Sequence, residues 1–135
     1  MEKEALKRIF EFIEEKDKHN IPFKWKLINN EPLIEDDLNI KGDLDLSYLD
    51  IASLPEGLKV SGNLDLAGCK QLTSLPKGLK VGGSLYLQYS KIKSLPEGLE
   101  VGGFIFKRNT PLEKYSDNEL REMIKPGFIK GEIIR

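Results

Sequence analysis

The amino-acid sequence predicts an α+β repeat solenoid: three to four short coils, with a helix before them and a helix plus strand after them. An eight-residue phrase occurs three times, as SLPEGLKV at 53–60, SLPKGLKV at 74–81 and SLPEGLEV at 94–101. A leucine pair in the pattern L-x-L recurs at the same period, and apolar residues at helical spacing lie outside the repeat. A catalytic motif is needed once, whereas a phrase repeated at even spacing indicates a structural unit.

Each repeat unit has 20 or 21 residues and reads V-x-G-x-L-x-L-x4/5-I/L-x-S-L-P-x-G-L-x-V. A unit of this length cannot enclose a hydrophobic core by itself, so neighbouring units must stack and align their leucines in columns. We expect the coils to lie about 4.8 Å apart, as strands do within a sheet. The predicted columns are Leu44/Leu64/Leu85, Leu46/Leu66/Leu87, Ile51/Leu72/Ile92, Leu54/Leu75/Leu95, Leu58/Leu79/Leu99 and Val60/Val81/Val101.

The prolines and glycines of the phrase are predicted to turn the chain between strands. Pro55 sets φ, and Gly57 follows two residues later, where a turn often needs a positive φ; the later units repeat both residues. Neither of the phosphate-binding patterns G-x-x-x-x-G-K-[ST] and G-x-G-x-x-G occurs in the chain. We therefore predict no cofactor.

The chain is expected to form one compact domain with three segments. Residues 1–39 are predicted as an N-terminal helix and capping segment, 40–103 as the solenoid, and 104–135 as a C-terminal cap. Apolar residues at helical spacing predict the helix over 2–18, and the alternation of Phe23, Trp25 and Leu27 with lysines predicts a short strand. Residues 34–40 copy the spacing of 54–60, so the chain enters the solenoid through an imperfect copy of the repeat.

The C-terminal segment begins as another copy of the repeat and then departs from it. Residues 116–125 are predicted as a helix, because Ser116 and Glu119 have the spacing of a capping box and Pro126 with Gly127 ends the pattern. Residues 128–134 are predicted as a final strand or a hairpin. Both terminal segments are well placed to cover the open edges of the solenoid, which otherwise invite pairing with another chain.

Composition narrows the class of protein. The chain has 135 residues and a net charge of −1, so it lacks the basic excess typical of nucleic-acid binding. No stretch approaches the ~20 apolar residues of a membrane helix, and the N-terminus, charged from residue 2, lacks the apolar core of a signal peptide. The single cysteine, Cys69, cannot close an intramolecular disulfide. These features predict a soluble protein of a reducing cytosol, that of a bacterium or of a host cell, without membrane contact.

The repeat resembles leucine-rich repeat proteins, particularly the short bacterial type found in secreted effectors. The matching residues are Leu72, Leu75 and Pro76 with Leu79, followed by the strand leucines and Ile92 of the next unit. It is also similar to short phage and bacterial repeat proteins of unassigned function that contain S-L-P-x-G-L-x-V-x-G-x-L-x-L. The resemblance covers about half of the chain and implies a repeat architecture, with an accessory or counter-defence role in a phage or bacterium as the biological setting.

One departure from that family concerns the corner after the L-x-L strand. The family has an asparagine three residues after the second strand leucine, whereas this chain has Leu49, Cys69 and Ser90 there. The asparagine ladder that satisfies buried backbone groups is therefore missing. A horseshoe and a straighter, β-helix-like solenoid both remain open, and Cys69 is interpreted as a small buried residue.

The outward residues of the L-x-L strands are the predicted binding face, as in leucine-rich repeat proteins. This face is expected to be acidic in the first coils and aromatic in the last, with Phe104 or Phe106 continuing it according to register. Aromatic residues beside charges are typical of protein interfaces. We predict a non-catalytic protein-binding strip that favours a basic or amide-rich partner surface; the alternative is a hydrated face without a partner. The candidate residues are Asp43, Asp45, Asn63, Asp65, Ser84, Tyr86, Gln88 and Phe106.

The sequence also bears on three other functions. Catalysis is disfavoured, because the acidic face is expected to be open and the sole histidine, His19, has no recognisable nucleophile partner. The chain is therefore predicted not to be an enzyme and to have no metal site. A weak calcium-binding repeat protein and a purely structural capping or assembly domain remain alternatives, and the predicted state is a monomer or a weak homodimer.

Overall fold

The computed structural model describes residues 23–29, 33 and 35–135. The chain divides into two units at residue 34, and each is described by itself. In the first unit, α1 is the helix Phe23–Ile28, so the predicted strand there is wrong. Phe23 and Leu27 also have the i, i+4 spacing of a helix, and alternation over five residues does not distinguish the two periods. The helix predicted over 2–18 lies outside the described residues.

The second unit is a stacked-coil β-solenoid with two five-stranded parallel sheets, which confirms the predicted solenoid. Each coil contributes one strand to each sheet, and this double-sheet arrangement is β-helix-like. The first sheet contains β1 (Asn39–Ile40), β3 (Lys59–Val60), β5 (Lys80–Val81), β7 (Glu100–Val101) and β9 (Phe128–Ile129). The second sheet contains β2 (Leu44–Asp45), β4 (Leu64–Asp65), β6 (Leu85–Tyr86), β8 (Ile105–Phe106) and β10 (Ile133–Ile134).

Register between the coils follows the sequence repeat. Ile40 pairs with Val60, so residues 39–40 of the imperfect copy join the first sheet, after a 3-10 turn at Glu35–Leu38. Leu44 pairs with Leu64 and Leu64 with Leu85 in the second sheet. The extra residue of the 21-residue unit is absorbed by an additional turn at 70–71. The repeat period therefore equals one coil.

The core of the solenoid consists of the predicted leucine columns. Every member of the six columns is buried, with at most 8% of its surface exposed. Later coils extend the columns with Ile105, Ile129 and Ile133, which are buried as well. Burial of these aliphatic side chains is the main favourable term for a chain whose described residues contain no disulfide.

The C-terminal residues continue the solenoid. After a 3-10 turn at Pro111–Lys114, helix α2 spans Asp117–Met123 with the predicted capping box between Ser116 and Glu119. This helix is inserted within the fourth coil, between β8 and β9. β9 then pairs with β7, and β10 pairs with β8. The two last strands do not pair with each other, so the hairpin alternative is wrong; the chain instead crosses between sheets near Gly131, as earlier coils do.

Small polar side chains fill the corner where the family asparagine is missing. Cys69 Sγ donates to the Leu46 carbonyl at 3.0 Å, Ser90 Oγ to the Leu87 carbonyl at 2.7 Å, and Thr110 Oγ1 to the Lys107 carbonyl at 2.6 Å. Buried carbonyls need such partners. At this corner, three successive coils therefore use the short side chains of cysteine, serine and threonine as donors in place of a ladder of asparagine side chains. The sequence did not predict this replacement.

An arginine side chain forms hydrogen bonds along the outer edge of the last strand of the first sheet. Arg121, on α2, donates from Nη1 to the Ile129 carbonyl at 2.6 Å and from Nη2 to the Gly131 carbonyl at 2.8 Å. The Ile129 carbonyl points away from β7, because Phe128 and Lys130 make the bonds to that strand. The guanidinium group therefore occupies acceptors that would otherwise be offered to another strand.

We expect Arg121→Met to lower the free energy of unfolding by about 2–4 kcal/mol, because two charge-assisted hydrogen bonds are lost at a half-buried site. Urea unfolding followed by circular dichroism measures the change. Arg108→Met is the matched control at an exposed arginine, and we expect it to change the free energy of unfolding by less than about 0.5 kcal/mol. Equal losses in the two variants would show that Arg121 does not stabilise the edge.

Candidate functional site

The strand face, defined as the outward surface of the second sheet, holds all the residues predicted to form the binding strip. Its side chains form three columns that run from coil to coil. Register places Phe106 opposite Tyr86, so Phe106 continues the central column and Phe104 the first one. The columns are Asp43/Asn63/Ser84/Phe104, Asp45/Asp65/Tyr86/Phe106 and Ser47/Ala67/Gln88/Arg108.

The first column is a ladder of hydrogen bonds between coils. Asp43 Oδ1 accepts from the Asn63 N–H at 2.7 Å, Asn63 Oδ1 from the Ser84 N–H at 2.7 Å, and Ser84 Oγ from the Phe104 N–H at 3.0 Å. These three side chains satisfy the backbone at the bend into each strand, which accounts for their residue types. Short polar side chains beside repeated glycines were the signal that could have revealed this ladder.

The aspartates of the central column form local turns at the strand ends. Asp45 Oδ1 accepts from the Ser47 N–H at 3.0 Å and from the Ser47 hydroxyl at 2.6 Å. Asp65 Oδ1 accepts from the Ala67 N–H at 3.0 Å. Aspartate is disfavoured in strands, and these Asx-type bonds explain its presence at both strand ends.

The aromatic part of the strand face lies in the third and fourth coils. The rings of Tyr86 and Phe106 are stacked, with centroids 4.7 Å apart and planes inclined by 3°. Phe104 meets Phe106 edge-on, with centroids 6.4 Å apart, and remains 42% exposed. The strand face therefore changes from carboxylates in the first two coils to aromatic rings in the next two.

Two exposed tyrosines stand at the corner after the second sheet, in the first and third coils. Tyr48 and Tyr89 both have φ of 61° and are 74% and 48% exposed. The equivalent positions in the other coils hold Gly68 and Asn109, which adopt left-handed conformations more readily. Sequence reasoning missed these tyrosines, because nothing in the residue type indicated a positive φ.

The carboxylates of the strand face are not arranged as a metal centre. Within residues 23–29, 33 and 35–135, no group of three or more histidine, cysteine or acidic residues is placed to hold a metal ion. Two shallow open depressions lie elsewhere: one on the first sheet beside the Lys80–Glu100 ion pair, the other over the S-L-P corners at Leu54 and Leu75. Neither depression borders the strand face.

Cys69 is a structural residue of the core. Its side chain is fully buried, and burial raises the pKa of the thiol, with smaller contributions from the negative charges of Asp65 and Asp45. Hydrogen bonds from the backbone near Tyr48 and Leu49 oppose the shift only in part. A protonated, enclosed thiol is a poor nucleophile.

Comparison with known proteins identifies no relative of this chain. No protein-family model, curated protein or solved structure matches the chain. None of the helices described here has the length and apolar character that crossing a membrane requires. The class of protein is therefore defined by the fold alone, as a stacked-coil β-solenoid with an acidic and aromatic strand face.

Proposed function

We propose that the β-solenoid is a non-catalytic protein-binding module that uses the strand face. The observation that supports this most is the continuous surface formed by Asp65, Tyr86, Phe106 and the 42% exposed Phe104 on a rigid sheet. Aromatic anchors bordered by charges are typical of protein interfaces, because rings lose little side-chain entropy when they become buried.

A binding role accounts for the strand face better than catalysis does. The face is an open outward surface, and one carboxylate oxygen each of Asp43, Asp45 and Asp65 accepts backbone N–H groups. General acid–base catalysis needs a carboxyl group whose pKa is shifted by burial or by a close charge. The strand face lacks the walls that would bury these three groups.

The biological setting is part of the same proposal. We place the module among leucine-rich repeat proteins of bacteria or phages, acting in a cytosol as an accessory or counter-defence protein. The repeated S-L-P-x-G-L-x-V phrase supports this placement. A near-neutral net charge of −1 supports a protein partner rather than a nucleic acid, with the module itself a monomer or weak homodimer.

Affinity capture from cells that naturally produce the protein tests the proposal. We expect wild-type protein to retain a partner that the double variant Asp65→Asn/Phe104→Ala loses. The matched control is Lys59→Gln/Phe128→Ala, which removes one charge and one 42% exposed phenylalanine from the opposite sheet. Mass spectrometry identifies the retained protein, and melting temperatures confirm that all three proteins are folded.

The proposal is tested by which of the two double variants loses the partner. Retention by wild type and by the control, with loss in the strand-face variant, supports the proposal. Loss in both double variants, or in neither, contradicts it, because the contact would then not depend on the strand face.

A further inference from the structure

The aromatic stack of the central column ends at a ring face that no ring or cation of the described residues covers. One face of Tyr86 lies against Phe106, at a centroid separation of 4.7 Å. The opposite face of the ring is turned toward the second coil, where the register partner of Tyr86 is Asp65. The stack of aromatic rings along the central column therefore ends at Tyr86, and the next residue of the column is Asp65.

Asp65 faces this side of the ring across the strand pair, and its side chain is held in a local turn. Its Oδ1 atom accepts the Ala67 N–H at 3.0 Å, so the carboxylate is bound to its own strand end. The second oxygen, Oδ2, has no hydrogen-bond partner among residues 35–135. The Tyr86 ring and the Asp65 carboxylate are therefore neighbours on the strand face, and we call this pair the notch.

The charge around the notch is negative. Asp45 is the register partner of Asp65 in the first coil, and Asp43 lies in the adjacent column. Asp65 and Asp45 both act electrostatically on the thiol of Cys69, raising its pKa in addition to the effect of burial.

We propose that the notch between Tyr86 and Asp65 binds the guanidinium group of an arginine on a protein partner. A guanidinium group is planar and positively charged, so it can lie against the ring of Tyr86 while it donates to Asp65 Oδ2. A lysine ammonium offers no plane to stack and is more strongly hydrated. The inference rests on the proposed protein-binding function and names the anchor of that contact.

A peptide titration followed by NMR tests the notch directly on the full chain. The probe is acetyl-Gly-Arg-Gly-amide, with the lysine peptide and the uncharged, isosteric citrulline peptide as comparisons. For so small a ligand we expect a dissociation constant on the order of 1 mM, with shifts centred on the Tyr86 ring and the Asp65 amide. We expect the lysine peptide to bind at least about threefold more weakly and the citrulline peptide at least about tenfold more weakly.

Two variants separate the charge of Asp65 from its structural role. Asp65→Asn keeps an oxygen for the Ala67 N–H and removes the charge, and we expect it to weaken the arginine peptide at least about fivefold. Asp50→Asn is the matched control, since it removes one carboxylate charge at an exposed position outside the strand face. We expect that control to change the affinity by less than about twofold.

The outcomes distinguish this inference from the function on which it rests. No shift at Tyr86, equal binding of the citrulline peptide, or equal weakening by the two variants would overturn the guanidinium site. If affinity capture succeeds while the peptide causes no shift, the protein-binding proposal stands and this inference is wrong. If the peptide binds as expected but no partner is captured, the guanidinium site stands and the protein-binding proposal is wrong.

Discussion

Gly102→Ala is expected to lower the free energy of unfolding by about 3 kcal/mol or more. A methyl group at Gly102 would lie 2.2 Å from the Gly82 carbonyl oxygen and 3.1 Å from its carbon. Both are backbone atoms of the preceding coil, so no side-chain rotation relieves the contact. The coils could separate only by weakening the bond from the Gly102 N–H to the Val81 carbonyl, which is 2.8 Å long.

Gly78→Ala is the control that separates close coil packing from backbone conformation. Gly78 has φ of +70°, and an added methyl group there meets no atom within 4 Å. We expect it to cost about 1 kcal/mol, the ordinary penalty of a left-handed alanine. Urea unfolding followed by circular dichroism measures both variants. Equal losses would show that the coils relax around the new methyl group.

Lys107→Leu is expected to raise the free energy of unfolding by about 2 kcal/mol or more. Lys107 is the one buried charged side chain within the described residues, and its Nζ atom has no hydrogen-bond partner there. It continues the column of Leu46, Leu66 and Leu87, all of which are fully buried. A leucine would remove an unpaired polar group and complete an apolar column.

The control for this variant is Lys91→Leu at an exposed position of the preceding coil. We expect that substitution to change the free energy of unfolding by less than about 0.5 kcal/mol. Thermal and urea unfolding compare the two variants with the wild type. A loss of stability in Lys107→Leu would mean that the amino group makes a favourable contact in solution, and the interpretation of an unpaired buried polar group would be wrong.

The core could be predicted from the sequence because its pattern is periodic. Leu64, Leu66 and Leu72 recur at the spacing of one coil in the neighbouring units, and inward-facing residues must recur when coils stack. The capping box at Ser116 was equally readable, since both of its residues lie within one helical turn. The Phe23–Ile28 helix was not, because its short apolar pattern fits both periods.

The strand face was only partly predictable. Alternation placed Asp65 and Tyr86 on one surface, but the partner of an outward side chain lies 20 or 21 residues away along the chain. Asn63 therefore looked like a binding residue although it bonds to the Ser84 backbone. The choice between Phe104 and Phe106 likewise required the register of β6 with β8.

By itself, the sequence determined the stacking: leucines repeated every 20 or 21 residues can be buried only when successive coils lie against one another. The tertiary structure alone decided the roles of the residues between the leucines. It assigned Asp43 and Asn63 to a ladder, placed Tyr86 beside Asp65, and buried Lys107 in a leucine column. The physical reason is that hydrogen bonds and ring contacts between coils depend on register and side-chain direction, which a repeat period does not specify.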